Sequence, residues 1–297
     1  MQNRIRRVQM FPSRLDPAES ELWVTVFPEQ LTSTTQIRGR LMGPRCAYAS
    51  TVEIAYPWRE WSRQYEKDGE PSVCLRIIIP EASFWDPESP FLYEGRLELW
   101  QGGECCDQVE ISAGLRTVNL GPQGIRWNGR LLKLRGAIVG QLQKDDARRL
   151  RETGCNALLA APTSAAVDLW SAADRFGFLM LGRITNKSDL SQASVLAKHP
   201  SSLGFLLDCR LLEDPLLQIG VGALLQADVE GQLLGVELTS APEQPLPMAV
   251  SFVACEMTAK PALAVLNVAT IVMGERWPSK EESARAATVL GWIDPTL

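Results

Sequence analysis

Four acidic residues stand at or near the ends of predicted β-strands, where barrel proteins keep their reactive groups. They are Asp208, Glu237, Glu256 and Glu275. Two carboxyl groups held close together can divide the work of catalysis, because one donates a proton while the ionised one acts as a nucleophile. We take Asp208, Glu256 and Glu275 as the candidate catalytic residues.

Ion pairing is the competing interpretation of the same carboxylates. Arg210 follows Asp208 by two residues and can neutralise it on one face of the chain, and Arg276 directly follows Glu275. Charged pairs at strand ends are common and contribute little beyond local neutralisation. The sequence leaves both interpretations open.

Other reactive groups form no recognisable constellation. His199 is the only histidine, and the sequence has neither a G-x-S-x-G motif nor the glycine-rich motifs of dinucleotide and phosphate sites. The seven cysteines lack the C-x-x-C spacing of zinc or redox sites, and we interpret them as reduced thiols. The sequence therefore predicts no cofactor and no metal ion.

Length, charge and hydropathy limit the class of protein. The 297 residues exceed one typical domain, 45% of them are hydrophobic, and the formal net charge is −5. This charge does not provide the basic footprint of a nucleic-acid-binding protein. The N-terminus lacks the apolar run of a signal peptide and no stretch has the length of a membrane span, which predicts a cytoplasmic protein without membrane contact.

Residues 1–121 show the pattern of a β-sandwich. Short β-type runs are separated by turn residues, and six of them read as strands: 22–27, 35–42, 50–56, 73–80, 92–100 and 107–113. This spacing fits an immunoglobulin-like fold. Six of the nine tryptophans occur up to residue 127, which indicates core packing, with a sugar-stacking surface as the alternative.

Residues 122–297 change to apolar strands that alternate with helices, which predicts a parallel sheet covered on both faces. Seven strands read as 133–139, 156–161, 178–184, 203–209, 233–239, 248–256 and one within 265–275. Helices are expected over 145–154, 164–177, 189–199, 213–227 and 279–293. The segment is short for a TIM-type β/α barrel, so we expect a reduced barrel with one helix missing between 239 and 248 and without a visible eighth strand.

Several ordered motifs resemble glycoside hydrolase family 2, which contains β-galactosidases, β-glucuronidases and β-mannosidases. The motifs are Trp85, Pro87 and Pro90-Phe91-Leu92-Tyr93, then Gly114-Leu115-Arg116-Thr117, Trp127-Asn128-Gly129-Arg130, Lys133-Leu134-Arg135-Gly136, Gly154-Cys155-Asn156-Ala157, Ala173-Asp174-Arg175-Phe176-Gly177 and His199-Pro200-Ser201. The resemblance covers about residues 84–209. It implies an immunoglobulin-like domain followed by a catalytic barrel.

The resemblance also implies retaining glycoside hydrolysis, which needs a general acid and a carboxylate nucleophile about 5 Å apart. In the family the fourth strand ends in Asn-Glu, whose Glu is the acid/base, whereas this chain has Cys209-Arg210 there. Arginine cannot release a proton near neutral pH, so Arg210 cannot act as that acid. Three other strand ends also depart from the family pattern: Val139-Gly140-Gln141, Leu159-Ala160-Ala161-Pro162 and Gly182-Arg183.

Two functions follow as hypotheses. The first is a non-catalytic binding or scaffold protein, a pseudoenzyme whose partner is a carbohydrate or another protein, with Trp277, Arg210 and Arg183 as candidate substrate-binding residues. The second is an active carbohydrate hydrolase with a relocated pair among the three candidate catalytic carboxylates. Members of the family usually carry a further N-terminal sugar-binding domain, which favours the view that this chain is part of a larger protein.

Overall fold

The computed structural model of the chain describes residues 3–186, 188–213, 232–239, 246, 250–256, 269–274 and 289–294. The chain divides into two compact units. The first contains Met1–Trp85 and Ser89–Arg116, and the second contains Asp86–Glu88 and Thr117–Leu297. No helix among the described residues combines the length and apolar character that a membrane span requires.

The first unit is a sandwich of two four-stranded antiparallel sheets. Its strands are β1 (Ile5–Arg14), β2 (Glu19–Pro28), β3 (Thr35–Arg45), β4 (Ile54–Pro57), β5 (Arg59–Gln64), β6 (Ser72–Pro80), β7 (Leu92–Gln101) and β8 (Glu104–Ala113). One sheet has the order β1-β2-β6-β5 and the other β4-β3-β7-β8. The predicted sandwich is confirmed, although β1 and β5 were not recognised in the sequence.

The sandwich core follows from the alternation of apolar and polar residues along the strands. In β6, Val73, Leu75, Ile77 and Ile79 are buried while the residues between them face outwards. Their side chains pack with those of the facing sheet, among them Leu97 of β7. Burial of one such side chain stabilises the fold by about 1.5 to 3 kcal/mol, so this alternation sets which face of each strand lies inside.

The second unit begins with a small antiparallel sheet of β9 (Val118–Gly121), β10 (Gly124–Trp127) and β11 (Arg130–Leu132). Asn128 and Gly129 join β10 to β11 with positive φ angles of 49° and 78°, as the Asn-Gly turn predicted. A closed barrel follows, built from β12 (Leu134–Ile138), β13 (Ala157–Ala160), β14 (Leu179–Ile184), β15 (Ser202–Asp208), β16 (Leu233–Leu238), β17 (Phe252–Glu256), β18 (Ala269–Met273) and β19 (Val289–Asp294).

Helices and turns connect the early barrel strands. The described helices are α1 (Lys144–Glu152), α2 (Ala166–Phe176) and α3 (Ser188–Leu196), and 3-10 turns lie at Glu66–Asp68 and Cys209–Glu213. The predicted helix start at Asp145 is one residue late: α1 begins at Lys144, after Gln143, whose side chain and backbone form the reciprocal hydrogen bonds of a capping box with Asp146. The predicted end of α2 at Gly177 is confirmed, since this residue adopts the left-handed conformation with φ 69°.

Closure of the barrel corrects one expectation from the sequence. The segment Val289–Asp294, of which residues 289–293 were assigned to a final helix, is the eighth strand and pairs in parallel with both β18 and β12. Its apolar run is too short to separate a buried strand from a buried helix by periodicity. Other predicted segments lie outside the described residues. They are the helix at 213–227 apart from Glu213, the rest of the helix at 279–293, and most of the link 239–248.

A buried carboxylate ties α2 to the segment that precedes β15. Asp174 is 6% exposed. One of its oxygens lies 2.6 Å from Nδ1 of His199, and the other accepts a hydrogen bond of 3.0 Å from the backbone N–H of Ser201. Both interactions occur at the amino end of the barrel strands, opposite the end where barrel chemistry is found. The lone histidine therefore has a structural partner.

Replacing Asp174 with Ala is expected to lower the free energy of unfolding by about 2 to 3 kcal/mol, because a buried N–H group loses its acceptor. Asp168 on the exposed side of the same helix provides the control, and Asp168→Ala should cost less than about 1 kcal/mol. Urea unfolding followed by circular dichroism measures both. Equal effects of the two substitutions would contradict a structural role for Asp174.

Candidate functional site

A pocket of about 530 Å³ opens at the carboxyl ends of β12, β13 and β14. Its walls are mostly small and apolar, with two threonines and, among the described residues, a single charged side chain at its edge; the lining consists of Ile138, Val139, Gly140, Leu159, Ala160, Ala161, Thr163, Ala165, Ala166, Leu169, Arg183 and Thr185. The carboxyl end is the face on which β/α barrels hold their ligands. This pocket is therefore the candidate binding site.

Three charged side chains share the inner face of neighbouring barrel strands. Ile184 of β14 and Leu207 of β15 pack outwards into the core formed with the helices. Strand alternation therefore turns Arg183 and Asp208 to the opposite, inner face. Glu237 of β16 pairs in register with Asp208, so its side chain leaves the sheet on that same inner face.

Arg183 and Glu237 form a two-point ion pair across the barrel mouth. Nε of Arg183 donates to Oε2 of Glu237 over 2.8 Å, and Nη2 donates to Oε1 over 2.7 Å. A planar guanidinium matches the two oxygens of a carboxylate, which fixes the direction of both groups. Both oxygens of Glu237 are thus occupied by Arg183.

Asp208 has its own guanidinium partner. Nε of Arg210 donates to Oδ1 of Asp208 over 2.9 Å, Nη2 of Arg210 contacts Oδ2, and the Arg210 backbone N–H donates to Oδ1 over 3.0 Å. These hydrogen bonds, with a smaller contribution from Arg183, lower the pKa of Asp208 from 3.8 to about 2. The ion pair that the sequence offered as one of two interpretations is present.

The ion pair with Arg210 disfavours the protonated form of Asp208. A carboxyl group that donates a proton at neutral pH needs a raised pKa, which burial or a neighbouring anion supplies. The pKa of Asp208 is shifted in the opposite direction, so this group stays ionised. Asp208 can accept hydrogen bonds or act as an anion, and Glu237 is directed towards Arg183.

The structure brings only part of the predicted site together. Arg183, Asp208 and Arg210 lie at the same end of the barrel. Glu256 is the last residue of β17, and its side chain lies outside the described part of the structure. Glu275 and Trp277 lie outside the described residues.

Glu237 is the residue whose role the sequence did not reveal. It was recognised as a carboxylate at a strand end but not as the partner of Arg183, which is 54 positions earlier. The sequence did contain one signal. Glu237 falls at an alternating position of its strand that would face the barrel interior, and Arg183 has the same kind of position on a nearby strand. Within the described part of the chain, no three His, Cys, Asp or Glu side chains are grouped as a metal site.

The described residues form a β-sandwich and a closed β/α barrel with a pocket at the carboxyl ends of three barrel strands. The model of "Glycosyl hydrolases family 2" matches residues 4–116. A β-galactosidase of Bacteroides ovatus, BoGH2A, is 25% identical over 133 residues, which cover 40% of this chain and 16% of that protein. The predicted resemblance is confirmed, and the chain is a glycoside hydrolase family 2-like protein.

Solved structures show the same architecture over almost the whole chain. A family 2 glycosyl hydrolase from Bacteroides cellulosilyticus superimposes with a TM-score of 0.71 at 14% identity, covering 99% of this chain and 44% of that one. A β-glucuronidase of Bifidobacterium dentium gives a TM-score of 0.67 at 13% identity, with 99% and 60% covered. The chain thus spans less than two thirds of the length of these relatives.

Removing the guanidinium of Arg210 tests the electrostatics of the mouth. In Arg210→Gln, the pKa of Asp208 should rise from about 2 towards 3.8, because its main hydrogen-bond donor is lost. The native pair stabilises the fold above about pH 4, and this contribution disappears as the pH falls towards 2. The loss of stability at pH 7 should be small, since the Arg210 side chain is 84% exposed and water screens the pair.

Carboxyl ¹³C chemical shifts, followed by NMR from pH 7 to pH 2, measure the pKa of Asp208. Arg148→Gln is the matched control. It removes an exposed guanidinium that pairs with Glu152 on helix α1, so it should leave the pKa of Asp208 unchanged. An unchanged pKa of Asp208 in Arg210→Gln would show that the pair does not persist in solution.

Proposed function

We propose that this chain is a non-catalytic, glycoside hydrolase-like protein that binds a carbohydrate at the mouth of its barrel. The observation that carries the proposal is that Asp208 and Glu237, two carboxylates at the mouth, are each held by an arginine. Arg210 also occupies the place at which the family resemblance implies the acid/base. The carboxylates thus provide fixed hydrogen-bond acceptors, and the lowered pKa of Asp208 makes this group a poor proton donor.

The chemistry of the pocket supports a ligand with both apolar and hydroxyl surfaces. Its walls combine alanine, leucine and isoleucine side chains with the hydroxyls of Thr163 and Thr185 and the edge of Arg183. Ligand pockets commonly join such apolar walls with a few polar groups that fix orientation. The relatives named above as β-galactosidase and β-glucuronidase support a carbohydrate as that ligand. A protein partner at the mouth is the second possible occupant.

The alternative function is an active carbohydrate hydrolase with a relocated carboxylate pair. The ionised state of Asp208 favours it, because a retaining mechanism needs an ionised nucleophile close to a protonated acid. Glu256 and Glu275 are the remaining candidates for that acid. A pair of carboxyl groups about 5 Å apart in one open pocket would support this function.

Hydrolysis of aryl β-galactosides, β-glucosides, β-mannosides and β-glucuronides by the purified chain separates the two functions. We expect no turnover above the uncatalysed rate, because the guanidinium at position 210 cannot release a proton. Turnover that Asp208→Asn or Glu275→Gln abolishes would overturn the non-catalytic proposal and establish the relocated site. Circular dichroism of both variants checks that they remain folded.

Binding of the same glycosides tests the pocket directly. Ala161→Trp places a large side chain in the pocket, and the affinity for any glycoside that binds should fall at least about tenfold, equivalent to 1.4 kcal/mol. Ala49→Trp adds the same ring at an exposed position of the sandwich and should leave the affinity unchanged. Isothermal titration calorimetry gives both values. Equal affinity of the two variants would place the ligand elsewhere.

A further inference from the structure

The outer face of one sheet of the sandwich carries a row of aromatic side chains. Phe11 of β1 and Trp23 of β2 are register partners, and Trp61 of β5 lies beyond β6 on the same face. The outer face of an antiparallel sheet is ordinarily polar because it meets water. Three neighbouring aromatic rings on this face are therefore not explained by the sandwich core. We call Phe11, Trp23 and Trp61 the aromatic row.

The rings of the aromatic row contact one another and remain open to solvent. The Phe11 and Trp23 rings are nearly parallel, with centroids 6.4 Å apart and an interplanar angle of 8°. Trp61 meets Trp23 edge to face, with centroids 5.5 Å apart. Nevertheless, Phe11 is 38% exposed and Trp61 is 64% exposed. The contacts orient the rings while most of the Trp61 surface stays free.

A β-bulge lies at Trp61. In the pairing of β5 with β6, Glu60 lies opposite Leu75 and Ser62 opposite Cys74, so Trp61 is an extra residue between the two register pairs. Bulges re-aim side chains and recur next to functional sites. Arg59 lies opposite the outward-facing Arg76, so alternation along β5 places Trp61 on the outer face. The bulge allows Ser62, opposite Cys74, to follow Trp61 on that same face.

Polar groups surround the aromatic row, among them one ion pair and the exposed guanidinium of Arg59, which lies opposite Arg76. Arg76 of β6 lies opposite Trp23 and forms an ion pair with Glu21. Its guanidinium also approaches the Trp61 ring, with Cζ 5.7 Å from the centroid. Thr25 of β2 follows on the same face one alternation further along. Hydroxyl, carboxylate and guanidinium groups therefore flank the rings.

We propose that the aromatic row and its polar neighbours bind the sugar rings of a neutral polysaccharide. The faces of aromatic rings are electron-rich, so they attract the weakly positive C–H groups on the face of a pyranose ring. The flanking polar groups can exchange hydrogen bonds with sugar hydroxyls. Because Glu21 neutralises Arg76, the ion pair offers hydrogen bonds without a preference for an anionic chain. The row is longer than one sugar ring, which suits a polymer.

This surface lies in the first unit, whereas the pocket proposed above lies in the second. The two proposals therefore rest on different residues and can fail separately.

Affinity electrophoresis of the purified full chain tests the proposal. The gels contain soluble galactan, galactomannan, xyloglucan or mixed-linkage β-glucan. At least one of these neutral polysaccharides should retard the native chain. Trp61→Ala should weaken that binding at least about tenfold, or about 1.4 kcal/mol, which lies towards the lower end of the energy of one base stacked on an aromatic ring. Trp61→Phe keeps a ring and should retain part of the retardation. Tyr48→Ala removes another exposed aromatic ring of the same unit, 48% exposed, and should behave as the native chain.

Three results would overturn the proposal. The first is that none of the four polysaccharides retards the native chain. The second is that the native chain and Trp61→Ala are retarded equally. The third is that Ala161→Trp abolishes the retardation while Trp61→Ala does not. The last result would place the polysaccharide in the barrel pocket.

Discussion

The closed ring of parallel strands is the constraint on which the rest of the second unit depends. Each described barrel strand hydrogen-bonds to two neighbours, and β12 completes the ring by pairing with both β13 and β19. Parallel strands bring all their carboxyl ends to one side. For this reason Arg183 and Glu237 meet at the mouth although 54 residues separate them. A change in the register of either strand by one residue would turn its charged group to the helices.

Glycines let the ring close around bulky neighbours. A Cβ atom on Gly235 would lie 2.3 Å from the ring of Phe252, and one on Gly291 would lie 2.3 Å from Cβ of Leu134. Each glycine thus stands beside a large side chain of the adjacent strand. Pairing of small and large residues fills the space at the density of protein interiors without strain. Small side chains also line the mouth, where alanines leave the volume of the pocket open.

The sequence predicted those features that depend on neighbouring residues. Alternation of apolar residues indicated the sandwich, apolar runs between helices indicated the barrel, and the two-residue spacing suggested the pair of Asp208 and Arg210. It failed where distant segments decide the outcome. The strand β19 was missed because its short apolar run suits a helix equally well, and the partner of Arg183 was missed because local patterns do not specify which strands become neighbours.

The cancellation of charge at the barrel mouth has a consequence for how a ligand arrives. Two guanidinium groups and two carboxylates are paired within hydrogen-bonding distance, so their fields largely cancel a few ångströms away. Charged clefts accelerate association by drawing oppositely charged molecules from a distance, and salt weakens that attraction. A mouth with compensated charges lacks such attraction from these four groups. These four groups therefore contribute little to the dependence of ligand association on ionic strength.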